Sequence, residues 1–213
     1  MSHLVLDRFT ALLASIGALL LLGPFLVELP FARDLVNGLF SITLIFAVYS
    51  LRRPPWAFKV GLALIVPALA LTWLPSVFTA RLDFGAYLFI MLALGFTAFM
   101  MVLHALEATR ITSAEISAAL SAYLLFGVGW GIAYFLVESL RPGSVAIAST
   151  LDGTLLSNCI YFSFVTLTTL GYGDISPISQ QARSLALVEA IAGQLYIAVL
   201  IGKLIGLYAR NGR

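Results

Sequence analysis

The residues best suited to chemistry stand in one run, Thr169-Leu170-Gly171-Tyr172-Gly173-Asp174. A cation crossing a bilayer must exchange its water shell for fixed oxygens, and backbone carbonyls supply these without adding net charge. Thr169, Leu170, Gly171, Tyr172 and Gly173 can offer such carbonyls in succession, and the Thr169 hydroxyl can add one more oxygen at the inner end. Aiming successive carbonyls at one axis takes the backbone into conformations that a β-carbon resists, which accounts for glycine at positions 171 and 173. Leu170 and Tyr172 are then expected to point away from that axis, with Tyr172 packed into an aromatic wall. No enzymatic constellation accompanies the run.

Irregular backbone is tolerated at membrane depth only where protein surrounds it or it lines a water-filled path. The rest of the chain has the composition to provide that surround. Of 213 residues, 61% are hydrophobic and only 10% charged, with a mean hydropathy of +1.03, which excludes a water-exposed globular domain. Apolar runs recur at about 20 residues, the length of a helix that spans ~30 Å of hydrocarbon. No stretch alternates polar with apolar as a β-barrel strand would. The expectation is an all-α membrane protein with six transmembrane helices at residues 9–29, 35–51, 56–74, 84–104, 116–140 and 184–208. Residues 155–168 are apolar but too short to cross, so they should enter and return as a re-entrant helix leading into the loop.

Proline and charge punctuate the boundaries at Leu29-Pro30, Arg52-Arg53-Pro54-Pro55, Leu74-Pro75 and Arg141-Pro142-Gly143. The first run follows Arg8 and has an apolar core too long for a secretory signal, so it is expected to be retained. With the amino terminus inside, Arg8, Arg52, Arg53, Lys59, Arg110, Lys203, Arg210 and Arg213 face the cytoplasm, against Arg33, Arg81, Arg141 and Arg183 outside. Both termini are then cytoplasmic and the loop opens outward. Trp56 and Trp73 suit interfacial anchors. The lone Cys159 can form no intrachain disulfide and fits as a small packing residue.

The stretch Tyr161-Phe162-Ser163-Phe164-Val165-Thr166-Leu167-Thr168-Thr169-Leu170-Gly171-Tyr172-Gly173-Asp174-Ile175-Ser176-Pro177 resembles the pore helix and selectivity filter of tetrameric potassium channels. It departs at Leu170, where that family more often has valine, and at Val165, where some members carry a glutamate that pairs with the aspartate after the filter. Asp174 therefore needs another partner. Residues 183–195 resemble the family's inner helix, with Gly193 at its hinge position. The resemblance implies potassium ions bound at Thr169, Leu170, Gly171, Tyr172 and Gly173, with Thr168, Asp174, Tyr161, Phe162 and Val165 as filter support. It implies a homotetramer, because one such segment cannot surround an ion, and a bacterial inner membrane. Residues 111–213 would form the pore domain. Residues 1–110 would form a four-helix domain resembling a voltage sensor without gating charges. Membrane lipids and potassium are the implied partners, with neither cofactor nor nucleic acid. A weakly selective cation channel, or a transporter or non-conducting subunit, are the competing classes.

Other residues have structural readings of their own. Tyr161, Phe162 and Phe164 could form a packed cuff around the filter. Gly127, Gly129 and Gly131 permit close helix contact. His104 suits a helix end at the interface, and Glu107, Arg110 and Glu115 an amphipathic connector between the fourth and fifth spans. Glu189 is a carboxylate one turn before Gly193 inside a span, so it is expected either in a buried hydrogen bond behind the filter or at an ion or proton site. A voltage sensor needs several arginines in its fourth helix, and residues 84–104 contain neither lysine nor arginine. Conductance is thus predicted to vary weakly with voltage. A steep conductance–voltage curve carrying several elementary charges per subunit would contradict this.

Overall fold

The computed structural model describes residues 7–26, 31–52, 54–73, 80–110, 112–149 and 151–211. The expected stops at Leu29-Pro30 and Leu74-Pro75, and Arg53 of the double-arginine stop, lie outside these. The elements run α1 (Arg8–Leu26), α2 (Ala32–Ser50), α3 (Pro55–Trp73), α4 (Ala80–Glu107), α5 (Ser113–Leu140), β1 (Val145–Ile147), α6 (Leu155–Leu167), β2 (Ile175–Pro177) and α7 (Gln180–Asn211). Among the described residues four helices are long and apolar enough to cross a membrane, at Pro55–Trp73, Phe84–Glu107, Ser113–Leu140 and Gln180–Leu200. The apolar stretches of α1 and α2, Arg8–Gly23 and Asp34–Ser50, are shorter than a full crossing.

Local chemistry explains where the helices begin and end. Pro55 opens α3 at the position where a missing N–H costs nothing. Thr112 caps α5: the Ala114 N–H donates to its hydroxyl, and its own N–H donates to Glu115 Oε2 at 3.0 Å. Glu115 is therefore half of a capping box within the first turn of α5, and Glu107 is the last residue of α4. Arg141 closes α5, and Gly143 turns the chain with φ +84°. Thr154 caps α6 by accepting from Ser157 N–H at 3.2 Å.

The described fold also departs from all-α. Val145, Ala146 and Ile147 pair antiparallel with Pro177, Ser176 and Ile175. Three-residue strands are too short to show a period, so nothing in the hydrophobic pattern announced them. Glu138 supports the approach to β1, accepting from Gly143 N–H at 2.7 Å and Val145 N–H at 2.8 Å.

The chain runs back and forth. Phe9 packs on His104 with ring centroids 5.0 Å apart, Thr10 bonds Ser117 at 3.2 Å, and Lys203 donates to the Leu106 carbonyl. The start of α1, the end of α4, the start of α5 and the later part of α7 thus share one end of the bundle. At the other end Arg141 reaches Gln181 at 3.4 Å. One apolar core, including Leu12, Leu44, Ile90, Leu94, Leu125 and Ile132, continues from the first four helices into α5. Of the three tryptophans, Trp56 and Trp73 are exposed, whereas Trp130 donates to the Leu185 carbonyl at 3.2 Å and ties α5 to α7.

Small residues on α5 set how closely its neighbours approach. A β-carbon on Gly127 would stand 2.6 Å from Phe164 Cε1, and one on Gly131 would stand 2.6 Å from Ile160 Cα, so both glycines seat α6. Gly129 turns the other way, toward Leu94 of α4. Because the obstacle at Gly131 is backbone, Gly131→Ala should cost on the order of 1–3 kcal/mol. Gly95→Ala, where a β-carbon meets nothing within 4 Å, is the matched control. Thermal unfolding of the purified protein should separate them, with only Gly131→Ala lowering the midpoint.

Candidate functional site

The loop grows directly from the carboxyl end of α6. Thr168 closes the helix, its N–H donating to the Phe164 carbonyl at 3.0 Å and its hydroxyl to the same oxygen at 2.6 Å. The Val165 carbonyl then accepts from Leu170 N–H at 2.9 Å and Gly171 N–H at 3.4 Å, folding the start of the loop back onto its helix. Beyond that point the backbone alternates. Thr169, Gly171 and Gly173 have φ of +59°, +63° and +81°, with Leu170 and Tyr172 between them outside that region. Glycine at 171 and 173 is thus used for the left-handed backbone expected of it, and Thr169 adopts the same region despite its β-carbon.

The outer end is anchored twice. The Asp174 carbonyl accepts from Ala148 N–H at 3.0 Å, continuing the β1–β2 ladder, and Asp174 Oδ1 accepts from Ile175 N–H at 3.0 Å. The side-chain partner missing from the sequence reading is Tyr161, whose hydroxyl donates to Asp174 Oδ2 at 2.6 Å. Val165, where a glutamate would otherwise serve, is buried instead. Tyr161 was within view as a cuff residue, but its pairing across 13 positions has no local signature.

Other expected residues do different work from that foreseen. Phe162 is buried edge-on against Tyr134, with centroids 4.8 Å apart, and Phe164 fills the space left by Gly127. These two fix α6 to α5; contact with the loop itself falls to Tyr161. Within the single chain residues 168–173 are exposed, and Tyr172 retains 66% of its accessible surface, so the described residues of its own chain provide no aromatic wall for it. Gly193 is buried in an unbroken α7, and a β-carbon there would stand 2.6 Å from the Leu167 carbonyl oxygen. Its contact with α6 is a packing reason for glycine, separate from bending. Tyr123 donates to that same carbonyl at 3.4 Å, and Tyr196 donates to the Ala119 carbonyl at 2.6 Å.

Glu189 is fully buried behind α6. Tyr134 donates to its Oε2 at 2.7 Å, and Ser163 Oγ lies 2.5 Å from its Oε1 and 2.7 Å from the Gly127 carbonyl oxygen. The expected hydrogen bond behind the loop is therefore present. Neither Tyr134 nor Ser163 was identifiable beforehand, since they stand 55 and 26 residues away. Cys159 is free and buried beside this cluster, as expected. Among the described residues no group of three or more His, Cys, Asp or Glu side chains could hold a metal.

Residues 118–210, which include α6, the loop and nearly all of α5 and α7, match the model of a family described as ion channel. Those residues are similar to an ion-channel domain, and the match covers less than half of the chain. Its relatives include the inward rectifier potassium channel Kirbac3.1 of Paramagnetospirillum magnetotacticum, 32% identical over 81 residues, or 36% of this chain and 24% of that one. Two pore potassium channel b of Oryza sativa subsp. japonica is 34% identical over 84 residues, covering 39% of this chain and 21% of the relative. Protein LctB of Bacillus caldotenax is 31% identical over 83 residues, covering 37% and 61%. The matched region spans less than two thirds of each of these relatives. No solved structure matches significantly.

Tyr161→Phe removes the phenolic donor to Asp174 while keeping the ring. The helical content should be unchanged, but the unfolding temperature should fall, because Asp174 loses its side-chain donor. Thermal unfolding of parent and variant, followed by circular dichroism, checks this.

Proposed function

We propose that this protein is a potassium-selective channel subunit that conducts passively through a pore shared by four copies. The observation that carries this is the alternating left-handed backbone at Thr169, Gly171 and Gly173, issuing directly from the end of a short apolar helix. Alternation of this kind is what a run of carbonyls needs in order to face one axis, where Thr169 to Gly173 would replace the hydration shell of a dehydrated cation. The carboxyl end of α6 carries the negative end of its helix dipole and would favour a cation in the cavity beneath. The named potassium channels among the relatives support the choice of ion.

What one chain leaves uncovered supports the tetramer. Leu187, Ile191, Leu195 and Val199 recur every fourth residue along α7, with Val188 beside them, and all are exposed. Together with the open side of residues 168–173, they form the face against which further copies would close the pore. In that assembly a neighbouring subunit would supply the surroundings that Tyr172 lacks here. The first two helices would complete six spans, with both termini cytoplasmic and the loop facing outward, in a bacterial inner membrane. Gly193 would permit α7 to bend as the pore opens.

Purified protein in planar bilayers with potassium and sodium gradients should give single-channel currents that reverse near the potassium equilibrium potential. Gly173→Ala should abolish that preference, because alanine resists φ of +81°. Reversal near zero in the parent protein would indicate a weakly selective cation pore, and silence would indicate a non-conducting subunit; either result overturns the proposal.

A further inference from the structure

The cluster around Glu189 can be counted hydrogen by hydrogen. Ser163 Oγ is 2.7 Å from the Gly127 carbonyl oxygen and 2.5 Å from Glu189 Oε1. Both separations are those of direct O–H···O bonds, so each requires a hydrogen between its two oxygens. A serine hydroxyl owns one hydrogen, and a carbonyl owns none. The second must therefore come from the carboxyl group. The arrangement that satisfies every contact has Glu189 Oε1–H donating to Ser163 Oγ, Ser163 Oγ–H donating to the Gly127 carbonyl, and Tyr134 O–H donating to Glu189 Oε2.

Removing that hydrogen leaves two acceptors facing each other at hydrogen-bond distance, and leaves a net charge in a fully buried site. Among the described residues no cationic group is placed to balance it. Tyr134 and Tyr123 of α5 face the carboxyl, with Cys159 of α6 beside Tyr134, and none of them is a cation. On its own helix residues 185–193 hold no other charged side chain.

We infer that Glu189 is held as a neutral carboxylic acid and that in this form it is the positioning residue joining α7 to α6 and α5. The three helices meet at this one group: α7 contributes Glu189, α6 contributes Ser163, and α5 contributes the Gly127 carbonyl and Tyr134. Ser163 sits two residues before Val165, whose carbonyl accepts from the Leu170 and Gly171 N–H groups of the loop. The buried acid thereby sets the seat from which the loop departs. It deepens the channel reading above and rests on that reading only for its link to ion selection, because the hydrogen count stands on geometry alone.

Glutamine is the diagnostic replacement. In Glu189→Gln the amide N–H can donate to Ser163 Oγ and the amide oxygen can accept from Tyr134, so the neutral pattern is reproduced. Alanine supplies neither group. Infrared spectra of the full-length protein in lipid at neutral pH should contain the carbonyl stretch of a protonated carboxylic acid, and this band should be lost in Glu189→Gln. Glu189→Gln should keep the unfolding temperature and the potassium-over-sodium preference of the parent, while Glu189→Ala should lose both or fail to fold. Absence of the acid band, or damage by glutamine equal to that by alanine, overturns the inference. If the parent protein shows no potassium preference, the channel reading fails, and the infrared band and the glutamine unfolding temperature still decide the state of Glu189.

Discussion

A peptide chain that turns back at membrane depth has to satisfy its own backbone polar groups, because hydrocarbon offers them no partner. In the channel proposed above, residues 168–174 would bear this constraint most heavily, since they leave the helix without entering a long strand. The structure meets it from both ends. The Val165 carbonyl collects Leu170 and Gly171 N–H groups, and the Asp174 carbonyl joins the short ladder through Ala148. The residues between are exposed within the single chain.

Holding those two ends apart at fixed separation is the work of the mount. Gly127 and Gly131 allow α6 to lie closely on α5, and Gly193 brings α7 against the Leu167 carbonyl. Van der Waals contact of this kind is short-ranged, so a displacement of a few tenths of an ångström at α6 is transmitted to the loop that it carries. The polar ties add direction to the apolar contact. Trp130 to Leu185, Tyr134 and Ser163 to Glu189, and Tyr161 to Asp174 each fix a rotation that packing alone leaves free. The first four helices continue the same core, and α4 meets α5 at Gly129, on a different face from the glycines that seat α6.

Much of this was legible in the residues. Continuous apolar runs reveal helices because burial in lipid demands length and composition, and the expected segments coincide with the observed helices to within a few residues wherever both ends are described. The short run before the loop was legible as a helix unable to span, and the glycines at 171 and 173 as left-handed backbone. Capping chemistry was also present: Thr112 and Glu115 have the spacing of a capping box, although the pair reads equally well as part of a charged connector. The three-residue strands were not legible, because pairing between 145–147 and 175–177 arises from where α5 and α7 bring the chain.

By itself, the sequence determined which stretches are apolar enough to be helical in a membrane and where the backbone has to adopt glycine geometry. Those properties are local: they depend on side-chain hydration, chain length and φ at each residue. Only the tertiary structure decided that Tyr161 holds Asp174, that Gly193 touches Leu167, and that Ser163 stands between Glu189 and Gly127. Partners separated by 13 to 36 positions meet because three helices cross at one point, and hydrogen bonds are directional enough that no spacing rule anticipates them.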